Sequence, residues 1–186
     1  MDLVRGKTAL AVALAAFLAI STSAGAAQPV PWGAGCTSLT PAGERTSSTC
    51  GASLVEGRAI APPHAPAEVK AVIAAANRLR HKPYVWGGGH TSWSARGYDC
   101  SGAVSYALHG GGLLDVTMVS GQLEYWGEAG VGRWITVYAN AQHVFMQVAG
   151  LRFDTRDNPQ PLTGPRWHMA RVVDPSRFVT RHPVGL

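Results

Sequence analysis

Cys100 stands in the run Gly97-Tyr98-Asp99-Cys100-Ser101-Gly102-Ala103-Val104, and it is left over if Cys36 pairs with Cys50. An odd thiol of this kind is a candidate nucleophile. Polar, glycine-flanked residues lead into Ala103-Val104-Ser105-Tyr106-Ala107-Leu108, which predicts a helix with the thiol in its first turn, where unpaired N–H groups and the helix dipole favour a thiolate. A thiolate attacks carbonyl carbon, but it needs a base that takes the proton and later returns it to the leaving amine; histidine suits both steps. His143 opens the run His143-Val144-Phe145-Met146-Gln147-Val148, and Ala149-Gly150 would return the chain as Leu151-Arg152-Phe153-Asp154-Thr155. With those two residues as the turn, alternation puts His143, Phe145 and Asp154 on one face, with Asp154 diagonal to the histidine and able to orient its ring. A one-residue slip would turn Asp154 away and bring up Thr155 or Arg152; Asn140 and Asp157 are the other candidate orienters.

These side chains need a frame. Val69, Val72, Ile73, Ala76 and Leu79 recur at helical spacing, so residues 67–80 read as an amphipathic helix between Pro66 and Pro83. Tyr84-Val85-Trp86 is a short extended piece that breaks into Gly87-Gly88-Gly89, followed by a polar, aromatic loop from His90 to Tyr98. The helix at Cys100 is expected to end at Gly110-Gly111-Gly112, with a short helix through residues 123–126. Strand patterns cover 134–138, 143–148, 151–155 and, more weakly, 167–173. Helices followed by strands indicate an α+β domain in which helices pack on a small antiparallel sheet, and about 120 residues suffice for one core.

Pro83-Tyr84-Val85-Trp86-Gly87-Gly88, Tyr98-Asp99-Cys100-Ser101-Gly102 and His143-Val144 with the short strand and Gly150 that follow resemble the NlpC/P60 cysteine peptidases, papain-like enzymes that cut cell-wall peptides. The resemblance covers roughly residues 67–175, and the pairing of Tyr-x-Trp-Gly-Gly with Asp-Cys-Ser-Gly is its specific part. It implies a papain-like domain with Cys100 as nucleophile, His143 as base and Asp154 in the third polar position, which is often histidine in this family. It further implies that Tyr84 flanks the site and that Asp99 and Ser101 help bind a peptide amine. An Asp beside a thiolate makes sense as a cation binder, and equally as the helix cap. The family's usual Pro-Gly-Asp-Leu strand is replaced here by Val131-Gly132-Arg133-Trp134-Ile135-Thr136-Val137-Tyr138, so that wall of the site differs. His90 and His168 are placed near the cleft, His168 as reserve base should His143 prove buried.

Arg5 and Lys7, the apolar run Ala9 to Ile20 and Ala24-Gly25-Ala26 read as an export signal ending near residue 27. The run's twelve residues fall short of the about 20 that cross a bilayer. Export to an oxidising compartment would allow a Cys36–Cys50 disulfide in the Pro/Ser/Thr/Gly-rich residues 28–65, read as a linker, with the domain at 66–186. Losing Arg5, Lys7 and Asp2 lowers the formal net charge of +5 by one. A basic exported chain suits an anionic cell wall, although dispersed surface charge serves solubility equally well, and no basic-aromatic ladder for nucleic acid appears. Gly87-Gly88-Gly89 lacks the residues of a phosphate loop, and the histidines lack zinc spacing, so no cofactor or metal is expected. Trp86, Trp93, Trp126, Trp134 and Trp167 are candidates for a groove but more readily core. The expectation is a secreted or envelope-bound monomeric thiol hydrolase that cuts peptidoglycan stem peptides, by resemblance at the D-γ-glutamyl-diaminopimelate bond. The alternatives are a silent wall-binding protein, or an amidase or acyltransferase of the same fold with another target.

Overall fold

The structure, a computed structural model, describes residues 51–156, 164–169 and 175–186, and residues 37–39 and 45–47 as strands. Those two strands, β1 (Thr37–Leu39) and β2 (Arg45–Ser47), pair antiparallel. The signal segment and the proposed Cys36–Cys50 bridge lie outside the described residues.

Helix α1 (Ala67–Leu79) turns Val69, Val72, Ile73, Ala76 and Leu79 into the core, as their spacing requires. Glu68 in its first turn and Arg78 in its last complement the helix dipole. Helix α2 (Cys100–Gly110) begins where the Asp99 carboxylate accepts the Gly102 N–H at 2.7 Å, and it packs against α1. The short α3 (Ser120–Leu123) lies three residues before the helix expected at 123–126; the Gln122 carboxamide accepts the Val119 N–H and so sets the earlier start.

Six strands, β5 (Glu128–Ala129), β6 (Ile135–Asn140), β7 (His143–Val148), β8 (Leu151–Asp154), β9 (Arg166–Met169) and β10 (Val179–His182), form one antiparallel sheet in the order β5-β10-β6-β7-β8-β9. The β7–β8 register is Met146↔Phe153, Gln147↔Arg152 and Val148↔Leu151, as the alternation predicts. The turn residues Ala149 (φ 47°) and Gly150 (φ 85°) both have positive φ, the backbone of the tight hairpin turn whose twist matches paired strands. Of the expected strand at 167–173, Arg166–Met169 is formed and residues 170–173 lie outside the described residues.

One face of the sheet, carrying Ile135, Val137, Val144, Met146, Val148, Leu151 and Phe153, joins the side chains of α1 and α2 in the main core. The other face is buried too: Phe145 stacks on Tyr138 at 4.8 Å and meets the edge of Phe178 at 5.2 Å. The architecture is α+β, helices on a small antiparallel sheet.

Residues 51–65, read from sequence as linker, differ from that reading. Strands β3 (Ser53–Val55) and β4 (Arg58–Ile60) make a hairpin around Glu56 and Gly57, and Ala59 and Ala65 are buried in the main core. The Asn77 carboxamide of α1 secures it, accepting the Ala59 N–H at 3.0 Å and donating to the Ala59 carbonyl at 2.8 Å. No helix among the described residues is long and apolar enough to cross a membrane.

Candidate active site

Cys100 is the first residue of α2, half-buried and not in a disulfide. Asp99 fixes this start through all its acceptors. Its Oδ1 takes the Gly102 N–H and the Ser101 hydroxyl (3.1 Å), its Oδ2 takes the Gly87 N–H (3.1 Å), and His90 Nε2 lies 3.1 and 3.2 Å from the two oxygens. About four lone-pair sites are thereby engaged. Asp99 thus acts as the helix cap, and both Asp99 and Ser101 are buried. The loop of Gly87–Gly89 is drawn so close to α2 that a Cβ at Gly102 would strike the Gly88 carbonyl. That contact and the Asp99 N–H to Gly88 carbonyl bond at 3.2 Å hold the Trp86–Gly89 loop beside the thiol.

His143 is the first residue of β7, and Asn140 places it: the Asn140 side-chain oxygen accepts the N–H groups of Gln142 (3.0 Å) and His143 (2.9 Å). Asn140, a candidate ring orienter, therefore holds backbone. The ring itself lies between two partners. Nε2 is 2.9 Å from Asp154 Oδ1, and the Cys100 thiol is near enough to the ring to raise its pKa. Burial alone would push the His143 pKa down, yet the hydrogen bond and charge of Asp154 and the interaction with Cys100 outweigh it, and the net shift is upward.

Asp154 closes β8 with its side chain fully buried. Its Oδ1 also accepts the N–H groups of Thr155 (2.6 Å) and Arg156 (3.0 Å), and its Oδ2 is gripped by Arg152 Nε (2.8 Å) and Nη2. Burial favours the protonated acid, but the hydrogen bond and charge of His143, the charge of Arg152 and the Arg156 N–H hold the pKa below its usual value. Arg152 corrects one sequence expectation: it shares the face of Asp154 in the unshifted register, since the two are two residues apart on a strand. Period-two alternation was the signal for it.

Tyr84 is bridged to Tyr98, and its phenol feels the site: burial first, then the charges of Cys100 and Asp99, raise its pKa, against the pull of Arg156. His168 stands across from Arg152 in β9, and His143, although 3% exposed, is the histidine whose pKa Cys100 raises. Asp157 lies outside the described residues. Trp86 is 87% exposed, whereas Trp134 and Trp167 are core. Among the described residues no three His, Cys, Asp or Glu side chains gather as a metal site would require.

No family model and no curated protein matches the chain. Among solved structures it is similar to the peptidoglycan hydrolase RipB from Mycobacterium tuberculosis, at 27% identity over 61% of this chain and 64% of that one, with a TM-score of 0.48. It is similar to a mutated form of the resuscitation promoting factor interacting protein RipA, at 23% identity, 63% and 65% coverage and a TM-score of 0.48. A third is RipD from Mycobacterium tuberculosis, a non-catalytic NlpC/p60 domain protein adapted to peptidoglycan binding, at 20% identity, 63% and 98% coverage and a TM-score of 0.45. The match spans just under two thirds of the RipB and RipA chains. The structural neighbours are NlpC/P60 domain proteins.

Proposed function

We propose that this chain is an exported thiol hydrolase that cleaves an amide bond in peptidoglycan stem peptides, at the D-γ-glutamyl-diaminopimelate linkage. One observation carries the hydrolase reading: the His143 ring is hydrogen-bonded to the Asp154 carboxylate at 2.9 Å and lies near enough to Cys100, the first residue of α2, for the thiol to raise its pKa. The choice of substrate rests on the Tyr84-Val85-Trp86-Gly87-Gly88 and Asp99-Cys100-Ser101-Gly102 motifs and on the basic charge of the chain.

In this reading the charged Asp154 keeps the His143 proton on Nε2 and leaves Nδ1 bare to take the thiol proton. The sulfur attacks the carbonyl carbon, and the oxyanion meets N–H groups at the start of α2. Gly102 N–H is held by the Asp99 side chain and Ala103 N–H by the Asp99 carbonyl, so Cys100 and Ser101 supply the donors. His143 returns its proton to the departing amine nitrogen, leaving a thioester. Water then attacks, its proton passes to His143, the thiolate leaves, and the carboxylic acid product is freed.

Mass spectrometry of products from purified wall and defined stem peptides tests the proposal. We expect cleavage at a single amide, and a loss of at least about a thousandfold in Cys100→Ala. Wall binding with no peptide released, or a variant within a few-fold of the parent, overturns it.

A further inference from the structure

Arg152 takes no part in the steps above, yet it is built into the site. It is 9% exposed, and its Nε donates to Asp154 Oδ2 at 2.8 Å with Nη2 on the same oxygen. Its guanidinium carbon lies 4.1 Å from the centroid of Phe145, the ring that Tyr138 and Phe178 hold in place. Such cation–aromatic packing fixes the plane and reach of the guanidinium.

The carboxylate is thereby divided between two tasks. Oδ2 belongs to Arg152, while Oδ1 faces His143 Nε2 and the N–H groups of Thr155 and Arg156. A buried carboxylate held at one oxygen only could swing about its last torsion; held at both, it cannot. We propose that Arg152 is a positioning residue for the site, locking the Asp154 carboxylate in plane and balancing its charge, so that His143 is oriented toward Cys100 without binding its proton too tightly. The inference rests on the hydrolase reading above.

The surrounding charges leave this role to Arg152. Arg166, opposite Asp154 in β9, turns its guanidinium to the carbonyls of Lys82 and Pro165. His168 faces Arg152 from β9, and neutral Gln147 faces it from β7. Arg156 meets Asp154 through its backbone N–H, and among the described residues Asp154 and Cys100 are the ionisable groups that shift His143. Removing Arg152 would take a like charge away from the imidazolium and leave Asp154 less balanced. His143 would then hold its proton to higher pH.

The test compares the parent chain with Arg152→Gln and Arg152→Lys, using a defined stem peptide and pH profiles of kcat/KM. For Arg152→Gln we expect kcat to fall at least about tenfold with KM within about threefold, and the alkaline limb to move up by about half to one pH unit. Arg152→Lys keeps the charge but not the fork, and should return the limb to its parental position with part of the rate. A Gln variant at parental rate, or Gln and Lys variants that lose rate and thermal stability together with the limb unmoved, overturns the proposal. NMR titration of the His143 ring in the same variants is independent of any substrate: its pKa should rise in Arg152→Gln and revert in Arg152→Lys, and an unmoved value overturns the positioning role. If the parent chain cleaves no stem peptide, the hydrolase reading fails, while the titration still decides what Arg152 does.

Discussion

His143 and Asp154 depend on each other for their charge, and this has a signature in stability. The Asp154 pKa is depressed in the fold, so its contribution is present above the unfolded value of about 4 and lost as pH falls through the lower folded value. The His143 pKa is raised, so its contribution is full below about 6.5 and lost as pH rises through the higher folded value. The two overlap between about pH 4 and 6.5. Urea unfolding of the parent and His143→Gln should therefore differ most in that window and converge on either side; a difference that is flat with pH would refute the coupling. The place of Cys100 at a helix start and of Asp154 beside His143 could be read from sequence because each rests on short-range rules, a glycine-flanked helix start and a two-residue turn. Arg152 carries no motif, and its meaning appears only when its guanidinium is seen lying over Phe145 and folding back on Asp154.

Between elements, the decisive contact is backbone on backbone. The first turn of α2 and the glycine loop meet where Gly102 passes the Gly88 carbonyl, with no room for a methyl group and no flexible side chain to yield. Gly102→Ala must push the loop away from Cys100 or bend the helix start, which should cost roughly 2–3 kcal/mol and weaken Asp99 capping as well. Gly121→Ala in α3, whose nearest atom would be Glu124 Oε1 at 3.9 Å, serves as control and should stay within about 0.5 kcal/mol. Equal melting temperatures for the two variants would show the loop to be free of α2. Helices α1 and α2 and the strands β6 to β8 were legible from their periods, because apolar side chains on one face must meet a core. Strand β10 was not: Val179, Thr180, Arg181 and His182 offer no apolar stripe, and it is held by its ladder to β6 and β5. A ladder leaves no trace in side-chain pattern.

At the scale of the molecule, the segment that composition marks as linker completes the domain. Its Pro, Ser and Gly content is that of a flexible chain, but Ala59 and Ala65 enter the core, and the Ala52 N–H bonds the Ala149 carbonyl at 2.7 Å, behind the turn that sets the His143–Asp154 register. Asn77 joins three parts of the fold at once: its carboxamide holds both backbone groups of Ala59 and accepts the Trp167 indole N–H at 3.1 Å from β9. Pairing of this kind is invisible to a window of neighbouring residues, since Asn77 lies 18 positions from Ala59 and 90 from Trp167. It also fixes where the domain can be cut. A chain beginning at Gly51 keeps the hairpin, whereas one beginning at Pro66 leaves the buried Asn77 with Trp167 alone and strips the Ala149 carbonyl of its partner. Each lost partner costs about 1–3 kcal/mol and each exposed methyl about 0.8 kcal/mol, so the shorter chain should be less stable by about 3–5 kcal/mol and melt roughly 10 °C lower. Asn77→Ala in the longer chain should reproduce a large part of that loss. If the two truncated chains melt together, the hairpin is an ornament to the core; if they separate as expected, the domain that holds Cys100 against His143 starts at least fifteen residues earlier than its sequence signature suggests.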